Sequence, residues 1–312
     1  MFPTISIFGK DISVYALLTV VGFLLAGTLS WLMTRVTWKS YKKNTERGLT
    51  SKRPVSADTL LTASLPALIG LLLGAMALYA ITNIPDIIEQ LSNWDYYVDR
   101  YGTGGAFERF GGFFSGIVFY GGLLGGVAGA WWYSKKAHFN ICEYLDAVAP
   151  AIPLFHTFGR IGCLASGCCY GIECEWGLYH SKALVAAANG VKRFPVQLLE
   201  AGLNLALCIV LVVLFCLFWQ KWRAGTFIRI YFGTYAIIRF CDEFLRGDTY
   251  RGIWLGLSTS QWISLGIMVF LIVTQMRWME NNPKPVVTAI IMDAEDEKEE
   301  TEAEAEETPA EV

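Results

Sequence analysis

Three arginines stand in stretches of chain that are otherwise apolar enough to lie in lipid: Arg160, Arg229 and Arg239. A charged side chain in hydrocarbon is costly enough to count as a functional candidate by default. Glu243 follows Arg239 by four residues, one helical turn away on the same face, and Arg246 comes soon after. Guanidinium is permanently charged, and its planar fork matches phosphate oxygens two at a time. Arg160 and Arg239, brought together from two helices near the outer membrane surface, would form a pocket for an anionic phospholipid headgroup. A structural reading competes with this one, in which Arg239 pairs with Glu243 and Arg160 with Glu200 only to hold helices together. Arg229, near the start of its span, is read as structural.

Other polar groups gather in the same parts of the chain. Arg193-Phe194-Pro195-Val196-Gln197-Leu198-Leu199-Glu200 opens a helix, with proline in the first turn where its missing donor costs nothing. Gln197 and Glu200, three apart, share one face that should look onto protein rather than lipid. The densest segment, HTFGRIGCLASGCCYGIECEWG from His156, combines Gly159, Gly162, Gly167 and Gly171 with Arg160 and with Cys163, Cys168, Cys169 and Cys174. Its glycines should break the helix into a turn beside Arg160. His156 shares the Arg160 face one turn deeper. It could act as a base or simply hydrogen-bond a neighbouring helix. In an oxidising exterior the four cysteines are expected to form disulfides. Their spacing matches no common zinc pattern, so no metal is expected, and no cofactor either. Gly121 and Gly122, in a glycine-rich span, would let a helix or a substrate approach the backbone.

Positioning such groups requires a membrane bundle. The 312 residues are 54% hydrophobic and 17% charged, against about 25% charge in a soluble chain. A soluble domain, a disordered chain and a small disulfide scaffold are thereby excluded. Seven stretches approach the roughly 20 apolar residues that a bilayer demands: 11–33, 58–81, 113–133, 145–165, 196–219, 226–244 and 257–276. Lysine and arginine weigh toward loops 34–57, 134–144, 220–225 and the tail, so the amino terminus is expected outside and the carboxyl terminus in the cytoplasm. Segment 82–112 becomes an outer loop whose Trp94, Tyr96, Tyr97 and Tyr101 suit the interfacial belt. Residues 283–312 carry eleven acids against Lys284 and Lys298, a net −9, leaving +6 on residues 1–282. The expectation is therefore an all-α polytopic domain over 1–282 and a disordered acidic cytoplasmic tail over 283–312.

With these residues in view the chain resembles the prolipoprotein diacylglyceryl transferase family of bacterial inner-membrane enzymes. Gly159-Arg160-Ile161-Gly162, continuing to Gly167 and Gly171, is similar to that family's Gly-Arg-x-Gly-Asn-(Phe)-x-Asn-Gly-Glu-x-x-Gly. Arg193-x-Pro195-x-Gln197-Leu198-x-Glu200 and the stretch from Tyr235 to Arg246 match two further motifs, and Gln261 with Ser264 echoes a fourth. Tyr15 occupies the place of a functional first-span tyrosine, and Gly121-Gly122-Leu123 follows the His-Gly-Gly-Leu motif. The family's histidine there is Tyr120, and its Asn, Asn and Glu after the arginine motif are Cys163, Ser166 and Cys168. The resemblance implies transfer of diacylglyceryl from phosphatidylglycerol to the cysteine thiol of a prolipoprotein signal peptide, with membrane lipid and no nucleic acid as partner. It implies catalytic roles for Arg160, Arg239 and Glu243, with Tyr120 or His156 as the base. Substrate contacts would come from Tyr15, Gly121, Gly122, Gly159, Gly162, Gly171, Gln197, Glu200, Arg246 and Gln261. The alternatives are a lipid-binding or transporting paralogue and a thiol-redox protein built on the cysteines.

Overall fold

The computed structural model describes residues 3–7, 10–49, 52–114, 116, 118–181, 183–248 and 252–285. The acidic tail beyond 285 lies outside the described residues. The chain is predominantly helical, and helices occupy all seven of the apolar stretches. Three are long and apolar enough to cross a membrane: α1 (Val14–Glu46), α2 (Ala57–Thr82) and α8 (Val196–Phe218). Two bent pairs raise the number to five, α6 (Ile141–Val148) with α7 (Ala151–Ser166), and α10 (Thr259–Val273) with α11 (Gln275–Asn281). The expected spans at α5 (Phe119–Lys136) and α9 (Thr226–Asp242) do not reach that standard among the described residues. Glycine dilutes the first, and Arg229, Arg239 and Asp242 interrupt the second. Contacts divide the chain into two compact units, one of residues 1–54 with 145–312 and one of residues 55–144.

In the first unit, a short hairpin of β1 (Thr4–Ile7) and β2 (Lys10–Ser13) leads into α1, where the Ser13 hydroxyl accepts from the Ala16 amide at 3.5 Å. Helix α8 is patterned inside out. Gln197, Glu200 and Asn204 are buried with Ala201, Leu207 and Leu211, whereas Leu198, Leu205, Ile209 and Val213 are exposed. Water-soluble helices bury leucine and expose glutamate, so this helix is built for an apolar surround. The amino end of α9 is fixed from another helix. Buried Asp146 of α6 accepts from the Gly225 amide at 2.7 Å and the Ile228 amide at 3.0 Å, which meets two orphan donors and the positive end of the helix dipole. Arg229 bonds the Leu271 carbonyl, Thr274 and Gln275, and lies 4.8 Å over the Trp278 ring. It supplies donors where α10 breaks into α11, a structural role as expected of it.

In the second unit, α2 and α5 meet along glycine. A Cβ added at Gly74 would strike the Gly121 carbonyl, one at Gly70 the Gly125 carbonyl, and one at Gly129 the Pro66 carbonyl. Four-residue spacing of the small residues lets the two backbones touch, the usual route to tight association where lipid supplies no hydrophobic drive. Segment 82–112, expected as a loop, is instead two helices, α3 (Ile84–Ser92) and α4 (Trp94–Gly112), kinked at Gly102. Buried Gln90 donates to the Ala106 carbonyl at 2.9 Å and joins them. The aromatic residues that read as a belt are carried on α4, where Tyr96 and Tyr101 are exposed. Backbone carbonyls cannot retreat as a side chain can. Gly74→Val should therefore destabilise the chain by more than the roughly 1–3 kcal/mol of ordinary overpacking. Gly27→Ala, which meets nothing within 4 Å, should be neutral or slightly stabilising. Thermal unfolding of both variants in detergent checks the contrast.

Candidate active site

Two buried ion pairs form the site's frame. Arg160, in the last two turns of α7, meets Glu200 of α8 at 2.7 Å. Arg239 of α9 meets Glu243 at 2.7 Å, one turn on and in the short 3-10 turn that follows. The carboxylates are nearly inaccessible, at 2% and 3% exposure, whereas the guanidiniums keep 18% and 11%. Each arginine is thus paired with a buried acid and keeps the larger share of the pair's exposure. Tyr235, one turn before Arg239, lies within the electrostatic reach of both arginines. Side chains from α7 and α9 thus share the neighbourhood of Tyr235. The second nitrogen of Arg239 donates to the Ser260 hydroxyl at 2.8 Å.

Gln261, expected to contact substrate, is committed to structure. It completes a capping box with Ser258 at the start of α10, and its amide nitrogen reaches the Phe240 carbonyl at 3.4 Å. The cap sets the neighbouring Ser260 against Arg239. Arg246 is also taken up, by a two-point pair with Asp248 at 3.0 and 2.6 Å. Gly171 lies where three strands of backbone cross. Ile172 bonds Leu245, Phe194 bonds Ile172, Gly247 bonds Tyr170, and a Cβ on Gly171 would strike the Phe194 carbonyl. Gly162 packs against the Tyr15 ring of α1, whereas Gly159 faces open space. Tyr15 is 43% exposed.

His156 sits one turn deeper than Arg160 and is engaged by neighbouring helices. Its Nδ1 is 3.3 Å from the Tyr231 hydroxyl, and its ring centre is 4.9 Å from that of Tyr235. Sequence reading missed Asp242, a carboxyl 2% exposed whose Oδ2 makes no hydrogen bond among the described residues, in the field of Arg239, Arg160 and Arg246. Its signal was its place between Arg239 and Glu243, masked by the stronger i,i+4 pair. Tyr235 was equally hidden, because a tyrosine in a span reads as packing. Tyr120 lies in α5 with its side chain outside the described set, and Gly121 and Gly122 belong to the α2–α5 seam.

No disulfide joins the four cysteines for which bridges are expected. Left-handed Gly167 (φ 71°) and Cys169 (φ 53°) turn the chain back over the end of α7. The sulfurs of Cys163, Cys168 and Cys169 then lie within 4.8 Å of one another, while Cys174 leaves on β3 (Glu173–Tyr179) and does not join them. Linear spacing concealed this group because only the turn assembles it. Gln197 holds the turn to α8 by donating to the Cys168 carbonyl at 2.8 Å. The neighbouring Cys163 and Cys168 sulfurs, then the charges of Arg246 and Arg160, draw the Cys169 thiol below its ordinary pKa.

The profile of the prolipoprotein diacylglyceryl transferases matches residues 3–277. The chain belongs to that family. It is similar to phosphatidylglycerol–prolipoprotein diacylglyceryl transferase 2 of Clostridium perfringens, with 33% identity over 268 residues, 84% of this chain and 90% of the relative. The enzyme of the same name from Clostridium tetani is 32% identical over 235 residues, 70% of this chain and 82% of the relative. That from Neisseria meningitidis is 34% identical over 186 residues. Within this family member the buried pairs make a firm prediction. Glu200→Ala strands Arg160 in a low-dielectric interior and should cost about 3–5 kcal/mol. Replacing both Arg160 and Glu200 by leucine and methionine should recover much of that stability, as read by denaturation in detergent.

Proposed function

We propose that the chain transfers the diacylglyceryl group of phosphatidylglycerol to the cysteine thiol of a prolipoprotein signal peptide. The observation that carries this reading is a pair of arginines, each braced by a buried glutamate at 2.7 Å and both within electrostatic reach of Tyr235. A guanidinium has five N–H donors, and the acid takes up only part of the fork. The remaining donors suit the phosphodiester of the lipid, and they gain strength as negative charge builds on the departing glycerol phosphate. The acceptor sulfur attacks the glycerol carbon as a thiolate. The carbon–oxygen bond breaks, its electron pair leaves with the phosphate oxygen, and a thioether remains.

In this reading Arg160 and Arg239 are the catalytic residues. Glu200, Glu243 and Ser260 position them. Exposed Tyr15, beside Gly162, supports a substrate contact at the mouth of the site. We place the site on the outer face of a bacterial inner membrane, with seven helical segments spanning, the amino terminus outside and the carboxyl terminus in the cytoplasm. The excess of lysine and arginine after α1, at Arg35, Lys39, Lys42, Lys43, Arg47, Lys52 and Arg53, supports that orientation.

The test is an assay with labelled phosphatidylglycerol and a lipobox peptide. Wild-type chain should yield labelled peptide, and Arg160→Ala and Arg239→Ala should each lose roughly 100-fold or more in kcat, the scale of one oxyanion-type contact. Arg239→Lys should stay well below wild type because a point charge lacks the fork. Retention of labelled lipid without any product would overturn the transferase reading in favour of lipid binding alone.

A further inference from the structure

The phosphate chemistry leaves three sulfurs unused beside the arginines. Cys163 lies one turn beyond Arg160 on α7, and the chain returns through two left-handed residues to set Cys168 and Cys169 against it. A non-glycine residue in that conformation costs on the order of 1–3 kcal/mol and persists only where its surroundings enforce it. Here the Cys168 amide bonds the Cys163 carbonyl at 3.2 Å, and buried Gln197 grips the Cys168 carbonyl. The turn is therefore clamped in the shape that gathers the sulfurs. Cys163 is buried, while Cys168 and Cys169 are half-buried, so the group has one open side.

We propose that Cys163, Cys168 and Cys169 bind a Zn2+ ion as thiolates and present its fourth position to the acceptor cysteine. The metal site stands on the sulfur geometry, and only the identity of the fourth ligand rests on the transferase reading. Zn–S bonds of about 2.3 Å place the sulfurs of a tetrahedral or trigonal site roughly 3.8–4.0 Å apart. Sulfurs already within 4.8 Å reach that spacing by small side-chain adjustments. Three protein ligands and one open position is the pattern of zinc sites that do chemistry rather than hold structure. An odd number of sulfurs also fits a metal better than a disulfide, which would leave one thiol over. The charges of Arg246 and Arg160, which act on Cys169, favour the anionic trithiolate complex.

The metal would answer the central difficulty of the reaction, which is that a free thiol near pKa 8.5 is mostly protonated at neutral pH. A thiol that coordinates Zn2+ gives up its proton to solvent and stays bound as thiolate. Its sulfur lone pair forms the bond to the glycerol carbon, and the carbon–oxygen electron pair leaves with glycerol phosphate. The thioether product, a neutral and weaker ligand, then leaves the ion. One proton is released per turnover and no redox change occurs.

The experiment uses the full chain, purified in detergent under reductant, with Zn2+ and Co2+ as probes. About one equivalent of Zn2+ should bind per chain, and Co2+ in its place should show thiolate-to-metal charge-transfer absorption. Outer-shell changes alone cost about 10–100-fold in affinity, so C168S and C169S should each weaken Zn2+ binding by roughly 100-fold or more. C174S should bind as wild type does. Because buried Cys163→Ser could compromise folding, the half-buried pair carries the test. A lipobox peptide should intensify the Co2+ charge-transfer band as a fourth thiolate joins, and its cysteine-to-serine counterpart should not. Failure of the folded chain to bind Zn2+, or a disulfide found among the three, overturns the proposal even if diacylglyceryl transfer proceeds. Metal binding with no response to the peptide overturns the role of the fourth position. Metal binding and peptide response without transfer would sink the transferase reading and leave the site standing.

Discussion

A guanidinium in a medium of low dielectric must have a carboxylate against it, and most of the site's architecture follows from that requirement. Desolvating either ion alone costs several kcal/mol, and only close, well-aligned pairing returns it. Glu200 and Glu243 meet the need at 2.7 Å each, from different directions. Once they do, α7 is tied to α8, and the end of α9 is tied to the turn beyond it. Gln197 and Asn204 follow Glu200 into the interior because they share its face of α8. The cost of burying charge is thus also what orders the helices around it.

Several motif residues hold backbone in place, among them Gly171, Arg193 and Gln261. Arg193 lies 4.4 Å over the Tyr170 ring and donates to the Gly171 and Ala187 carbonyls, stitching the outer turn to the start of α8. Gln261 caps α10 so that Ser260 falls against Arg239. A residue type and its spacing cannot separate these two duties, because a polar group that holds a loop and one that holds a ligand look alike in a string of letters.

Legibility in the sequence followed the range of the forces involved. The apolar stretches, the Arg239–Glu243 pair and the inward polar face of α8 all depend on helical periodicity, and each is found where periodicity puts it. Arg160 with Glu200 could be guessed as a pair because buried opposite charges seek one another, although forty residues separate them. The three-sulfur group could not, since it exists only through the backward turn at Gly167 and Cys169. Helices α3 and α4 were hidden for another reason. Glycines at 102, 104, 105, 111 and 112 and a run of tyrosines imitate loop composition, while the pairing of Gln90 with the Ala106 carbonyl is long-range. At α9, Arg229, Arg239 and Asp242 lower the very hydropathy that marks a membrane helix.

The seam between α2 and α5 restricts how the second unit can deform. Every glycine there faces a carbonyl of the other helix, so a small lengthwise slip would drive the side chains beside the glycines against those carbonyls. Only a displacement by a full four-residue repeat, about 6 Å, would bring the notches back into register. Gradual gliding is closed to this helix pair. Any rearrangement of the unit must move the two helices as a single rod or separate them outright.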